Sequence, residues 1–245
     1  MQEGNYLNLG EAEKNLRIYR IISVERLYQL FERQQNVLVR PSKWEDPFEN
    51  FVLNSQARLP DGTLVRFGFN NDFYGQCWTL QTASDAMWRI YSPGADSVRI
   101  RTSVRKLAES LSGGLGEWAH VQAFIGRVRY LRDKELLDFA SNVFARGLDP
   151  VALANTLLVK RKAFVHEREV RLLYFEKENS GTSDLFPYTI KPHALIEQIM
   201  IDPRLPEDKV ADLKQEIRKK TDFTGPIVRS LLYAPPEGMV FPIGV

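Results

Sequence analysis

Glu167-Arg168-Glu169-Val170-Arg171 places two carboxylates and a guanidinium at alternate positions of the chain. In an extended strand such residues project from one face at ~7 Å spacing. Like charges that close raise one pKa unless something compensates. Arg171, a bound cation or a cationic transition state could each compensate here. The bland alternative is an edge strand whose solvent face is charged.

Two other clusters could take part. Glu45, Asp46 and Glu49 flank Pro47-Phe48; the competing reading is a turn in which Asp46 accepts from backbone amides and Phe48 anchors the loop. Trp78, Trp88 and Tyr91 lie near a strand–helix junction, where aromatics usually fill core but can stack on a flat ring. Weaker signals carry little. Gly113-Gly114-Leu115-Gly116 follows a helical segment, so it lacks the context of a dinucleotide fingerprint. His120, His166 and His193 are scattered, and no metal-ligand spacing is legible. Cys77 sits in an apolar run, where a free thiol is usually inert packing.

The elements that must position these residues can be read from periodicity. Strands are expected at 16–22, 37–39, 76–80, 97–101, 124–130, 170–175, 196–201 and 227–232. Helices are expected from the Ser23 cap, from a Thr82/Asp85 capping box through Tyr91, at 103–111, 133–146 and 150–162, and at 206–220. Pro60-Asp61-Gly62 reads as a hairpin turn. Strands and helices mix without regular βαβ alternation, so the expected class is α+β, a single domain over 16–245 with residues 1–15 loosely held.

Bulk properties narrow the function. The chain has 245 residues, 44% hydrophobic and 26% charged, which excludes wholesale disorder. A formal charge of +2 is far from the basic excess of a dedicated nucleic-acid binder. Arginine outnumbers lysine 21 to 12, which suits phosphate-bearing partners. The basic positions Arg99, Arg101, Arg127 and Arg129 could meet nucleic acid, but the favoured reading is a solvated strand face. One cysteine and a polar, acidic N-terminus predict a cytoplasmic protein with no membrane association.

Taken in order, Tyr19-Arg20, Asp46-Pro47-Phe48-Glu49, Cys77-Trp78-Thr79, Met87-Trp88-x-x-Tyr91 and Glu167-x-Glu169-x-Arg171 resemble a bacterial family known as domain of unknown function twenty-nine seventy-one. Its members usually carry F-N-D-P-F-E, M-W-x-x-Y and Y-E-x-E-x-R in that order. The same residues bear a more distant resemblance to ADP-ribosyltransferases, which share a polar residue in an early strand, a middle strand–helix element and a late Glu opening a strand. That resemblance implies an ADP-ribosyltransferase-like split sheet with NAD as co-substrate and no metal. It implies that Glu169 is catalytic, that Glu167 orients the acceptor, and that Arg20 or Tyr19 binds NAD phosphate. Thr79, Trp88 and Tyr91 would complete the NAD site, with Arg171, Asp46 and Glu49 in support. There is no S-T-S in the middle element. Cleaving the nicotinamide–ribose bond passes through an oxocarbenium-like state, which a fixed carboxylate stabilises. The acceptor would be a protein or nucleic acid, and the resemblance further implies a toxin or phage-defence effector with an antitoxin or regulatory partner.

Two readings compete. Asp46 with Glu169-Val170-Arg171 loosely matches the D…E-x-K pattern of metal-dependent nucleases, with Arg where Lys is usual. The other is a non-catalytic module that binds nucleic acid or protein.

Overall fold

A computed structural model describes residues 1–44, 46–66, 71–116, 122–142, 147, 149–176, 183–234, 238 and 240–243. Glu45, His120 and the end of the expected 133–146 helix lie outside the described residues. In chain order the strands are β1 (Tyr6–Leu7), β2 (Arg17–Ser23), β3 (Gln35–Val39), β4 (Gln56–Arg58), β5 (Leu64–Arg66), β6 (Phe73–Thr79) and β7 (Ser97–Ser103). They continue with β8 (Ala123–Arg127), β9 (Arg129–Leu131), β10 (Val159–Arg161), β11 (Glu169–Phe175), β12 (Leu185–Thr189), β13 (Gln198–Ile201) and β14 (Ile227–Arg229). The first three α-helices are α1 (Val24–Arg33), α2 (Asp85–Tyr91) and α3 (Val104–Leu115).

Ten of the strands form one mixed sheet in the order β1-β8-β11-β6-β2-β7-β13-β14, with β3 joining β6 and β12 joining β3. This is the α+β class expected from the sequence. Most pairs are antiparallel; β1–β8 and β13–β14 are parallel. No helix among the described residues is long and apolar enough to cross a membrane.

β11 lies inside the sheet between β8 and β6, and all seven of its residues are buried. The edge-strand reading is therefore wrong. Period-two alternation sends Val170, Leu172 and Tyr174 into the larger core and Leu173 and Phe175 into a smaller one. Glu169 and Arg171 share the second face with Leu173, so the charged site is a polar patch at the end of an apolar layer. Each must be compensated there, because an unpaired buried charge costs several kcal/mol.

Several boundaries differ from those expected. α2 is capped by Ser84, whose hydroxyl accepts from Met87 N–H, and not by Thr82. The helix expected at 150–162 stops at Thr156, where the Leu157 amide turns back onto the Ala154 carbonyl. The next apolar residues then run out as β10, which pairs in parallel with β9. Tertiary pairing overrode the helical periodicity. The 124–130 strand is broken into β8 and β9 around Val128, whose amide donates to the Glu169 carbonyl. Gly113 and Gly114 lie inside α3, which runs to Leu115. Residues 1–15, expected to be loose, carry two 3-10 turns and β1, with Asn5, Leu7 and Lys14 buried.

Candidate functional site

Glu167 and Glu169 come together through a turn as well as a strand. Residues Lys162–Glu167 form a 3-10 segment, and Arg168 reverses the chain with a left-handed backbone, φ 46°. Such a φ is uncommon for a residue with a side chain. Thr79 Oγ1, opposite Glu169 in the β6–β11 register, donates to the Glu167 carbonyl at 2.5 Å. Glu167 thus reaches the cluster from the turn, not from two-residue strand spacing as expected.

Five charged side chains meet here, each at most 8% exposed at its side chain. The Lys160 ammonium donates to Glu49 Oε1 at 2.7 Å, Glu167 Oε2 at 2.5 Å and Glu169 Oε1 at 2.8 Å. Arg171, fully buried, donates from Nε to Glu169 Oε2 at 2.7 Å and from Nη2 to Glu49 Oε2 at 2.9 Å. Its Nη1 donates to the Leu157 carbonyl at 2.8 Å. The Glu169 amide donates to the Tyr130 hydroxyl at 2.8 Å, which fixes the first residue of β11.

Three carboxylates against two cations leave one negative charge in excess. Burial, reinforced by the hydrogen bond to Glu169, pushes the Glu167 carboxyl up to about 8. Burial acts on Glu169 in the same direction, but Arg171 and the hydrogen bonds from Glu167 and Arg171 outweigh it, and its carboxyl is held well below the usual range. Burial also raises Glu49 despite Arg171. Lys160 is kept charged because Glu169 and Glu49 overcome its desolvation. The cluster is thus near neutral at pH 7 with a proton on Glu167.

The cluster forms the floor of two adjoining cavities, about 460 and 610 Å³, both lined by Lys43, Trp44, Cys77, Tyr91, Glu167 and Glu169. Volumes of this order hold small organic ligands. Tyr91, 46% exposed, stands at the rim. Trp44 lies with its ring 4.6 Å from the Arg171 guanidinium. It can lie there because Gly75 beneath it has no side chain: a Cβ would sit 2.6 Å from Trp44 Cζ2.

The other expected site residues divide. Tyr19 and Arg20 of β2 line the first cavity; Tyr19 is buried with Arg99 stacked on its ring at 4.5 Å. Thr79 lines it too, but its hydroxyl is committed to Glu167 and the Gln81 amide. Trp88 is 1% exposed and lines neither cavity, so it is core and cannot stack on a ligand as placed. Trp78 is likewise core. Asp46 lines the second cavity and, as its turn role requires, accepts from Phe48 N–H at 3.0 Å and from Arg161 at 3.3 Å. Phe48 does not anchor that loop; it is 43% exposed and lies against the Arg161 guanidinium. Cys77 faces the site, where burial and then Glu169 push its thiol well up, so the thiolate is disfavoured. Arg99, expected on a solvated face, is buried.

Lys160, Trp44 and Tyr130 were missed. Lys160 was assigned to a helix, and only the pairing of β10 with β9 turns it into the cluster. Trp44 adjoins the acidic turn, an aromatic-beside-acid signal that was available. The nuclease reading pairs Asp46 with Glu169; Asp46 accepts from Phe48 N–H and Arg161, whereas Glu169 is held by Lys160 and Arg171.

No family model matches the chain, and no curated protein matches it. Among solved structures, DarT of Thermus sp. 2.9 in complex with NAD+ is 13% identical, over 91% of this chain and 98% of that one, at a TM-score of 0.40. DarT in complex with ADP-ribosylated ssDNA gives 13%, 91%, 95% and 0.39, and with carba-NAD+ 14%, 88%, 95% and 0.38. At such TM-scores the likeness carries no argument about fold or activity.

Proposed function

We propose that this chain is an ADP-ribosyltransferase-like enzyme that cleaves the nicotinamide–ribose bond of NAD and passes ADP-ribose to a macromolecular acceptor. The observation that supports it most is the cleft floor. A carboxylate pair fixed by Lys160 and Arg171 lines one cavity together with Trp44, Tyr91 and Arg20. In this reading the nicotinamide ring lies among the aromatics and the diphosphate reaches Arg20. Glu169, held ionised, meets the positive charge that develops on the ribose carbon. Its orientation is set before the reaction by four groups: Lys160, Arg171, Tyr130 and the Thr79-pinned turn. A charge arranged in advance stabilises the transition state without reorganisation. Glu167, titrating near 8, takes the proton of the incoming acceptor. Lys160 and Arg171 supply the charge compensation, so the reading needs no metal.

The test is nicotinamide release and NAD binding by the purified chain without added metal, with a cell lysate present as a source of acceptors. Glu169→Gln should keep NAD binding and lose release by about a hundredfold or more, the scale of removing one transition-state contact. Neither release nor NAD binding with lysate present would overturn the reading.

A further inference from the structure

On the other side of Arg20 lies a third cavity, about 230 Å³, between α1 and β3. Its wall carries Arg20 from β2 and Arg26, Gln29 and Arg33 from α1. Positions 26, 29, 30 and 33 recur at i, i+3, i+4 and i+7, so one helix face points its polar groups into the groove while Leu30 packs beneath. No Asp or Glu lines it. Ten other described arginines pair with carboxylates. Among the described residues, none of Arg20, Arg26 and Arg33 does.

Arg20 is the sharpest case. It is half-buried, and its guanidinium has no hydrogen-bond acceptor among the described residues. A guanidinium offers five donors and stays charged at neutral pH. Leaving it part-desolvated without an anion costs free energy that a bound anion would restore. Arg20 and Arg26 line this groove and also the 460 Å³ cavity above the carboxylates. One ligand can therefore touch both.

We propose that the groove between α1 and β3 is a phosphate-binding site, held by Arg20, Arg26 and Arg33, for a nucleotide whose sugar end reaches the carboxylates of the neighbouring cavity. The assignment of the sugar end rests on the reading under Proposed function; phosphate binding by the groove does not. The groove is short and concave, with amide side chains between its arginines. That shape suits a compact diphosphate better than a nucleic-acid strand, which needs a long open track.

Calorimetric titration of the full chain with pyrophosphate, ADP, adenosine and a short single-stranded oligonucleotide tests it. Pyrophosphate and ADP should bind and adenosine should not, and the affinity should fall as salt is raised. Arg26→Gln/Arg33→Gln should weaken ADP by about tenfold or more, because charged hydrogen bonds are lost; Arg26→Lys/Arg33→Lys should recover part of it. Both arginines are exposed, so unliganded melting should not move and a folding defect is excluded directly. Glu167→Gln should leave pyrophosphate binding unchanged. Failure of wild type to bind pyrophosphate, or equal ADP affinity in the Gln double variant, would overturn the groove. Oligonucleotide binding that depends on these arginines while ADP binding does not would overturn it as well. Arginine-dependent ADP binding without nicotinamide release would instead leave the groove standing and count against the transferase. Release with unchanged ADP affinity in the double variant would do the reverse.

Discussion

Two charged regions of this molecule lie side by side and are built on opposite plans. At the head of β11, three carboxylates and two cations are buried together, and Lys160 and Arg171 each contact two or more of the acids. Between α1 and β3, two arginines of α1 and Arg20 of β2 line a groove with no acid in its wall. The first region is neutralised from within, so it can be buried, and its geometry is over-determined. The second is left uncompensated and half-open, which a fold tolerates only near water. A closed network serves to hold one arrangement of charge; an open one is free to respond to a ligand. Catalytic preorganisation needs the former, and binding of an anion needs the latter.

The comparison breaks most sharply at Arg171. Arg171→Ala leaves Glu49 and Glu169 short of a partner in the interior, and about 3–5 kcal/mol of stability should be lost, read as a shift in the denaturant midpoint. A loss under about 1 kcal/mol would mean that the network is not closed.

A smaller effect is expected from the cleft floor. Gly75→Ala places a methyl group inside the volume of Trp44 and should cost about 1–3 kcal/mol by overpacking. NAD binding should weaken with it, because the ring that covers Arg171 must move. Unchanged melting would show that Trp44 is not packed against β6.

The proton on Glu167 sharpens the comparison by pH. A carboxyl raised from 4.5 to about 8 in the fold holds its proton more tightly folded than unfolded. Its contribution to stability is complete below about 4.5 and is lost as pH rises to about 8. Glu169, lowered instead, has the opposite sense: its contribution is present above its unfolded value and is lost on acidification. Glu167→Gln, which mimics the protonated form, should therefore melt higher than wild type at pH 9, by about 2–4 °C for each kcal/mol relieved, with the gap narrowing as pH falls and closing below about pH 4.5. Transfer by wild type should rise between pH 7 and 9, and that limb should vanish in the variant.

The smallest effect belongs to the groove. Arg26→Ala/Arg33→Ala removes exposed, unpaired charges and should change unfolding free energy by no more than about 0.5 kcal/mol. A marked loss of stability would mean that the arginines are structural and the two regions are alike.

The α+β class, the cap at Ser23, the hairpin turn at 60–62 and the strand at β11 were legible because each is written in nearest neighbours: alternation, a capping hydroxyl, a turn triplet. Glu167, Glu169 and Arg171 were legible as a charged cluster because acids and a base at short spacing demand compensation; Glu49, far along the chain, read only as part of a turn. Trp88 was misread because an aromatic at helical spacing gives no sign of which face is covered. Lys160 was invisible for the same reason. Its role requires Thr156 to end a helix and β9 to accept β10, both consequences of partners far along the chain.

By itself, the sequence determined that Glu169 would stand close to Arg171 on one strand face and that a second nearby carboxylate would need a charge to answer it. It also put Arg26, Gln29 and Arg33 on one helix face, since helical spacing is a local property. Only the tertiary structure decided that the answering charge is Lys160, that the strand carrying Glu169 is central and dry, and that the α1 arginines meet Arg20 without an acid between them. Charge compensation depends on distance and dielectric, and those are set by which elements pack together.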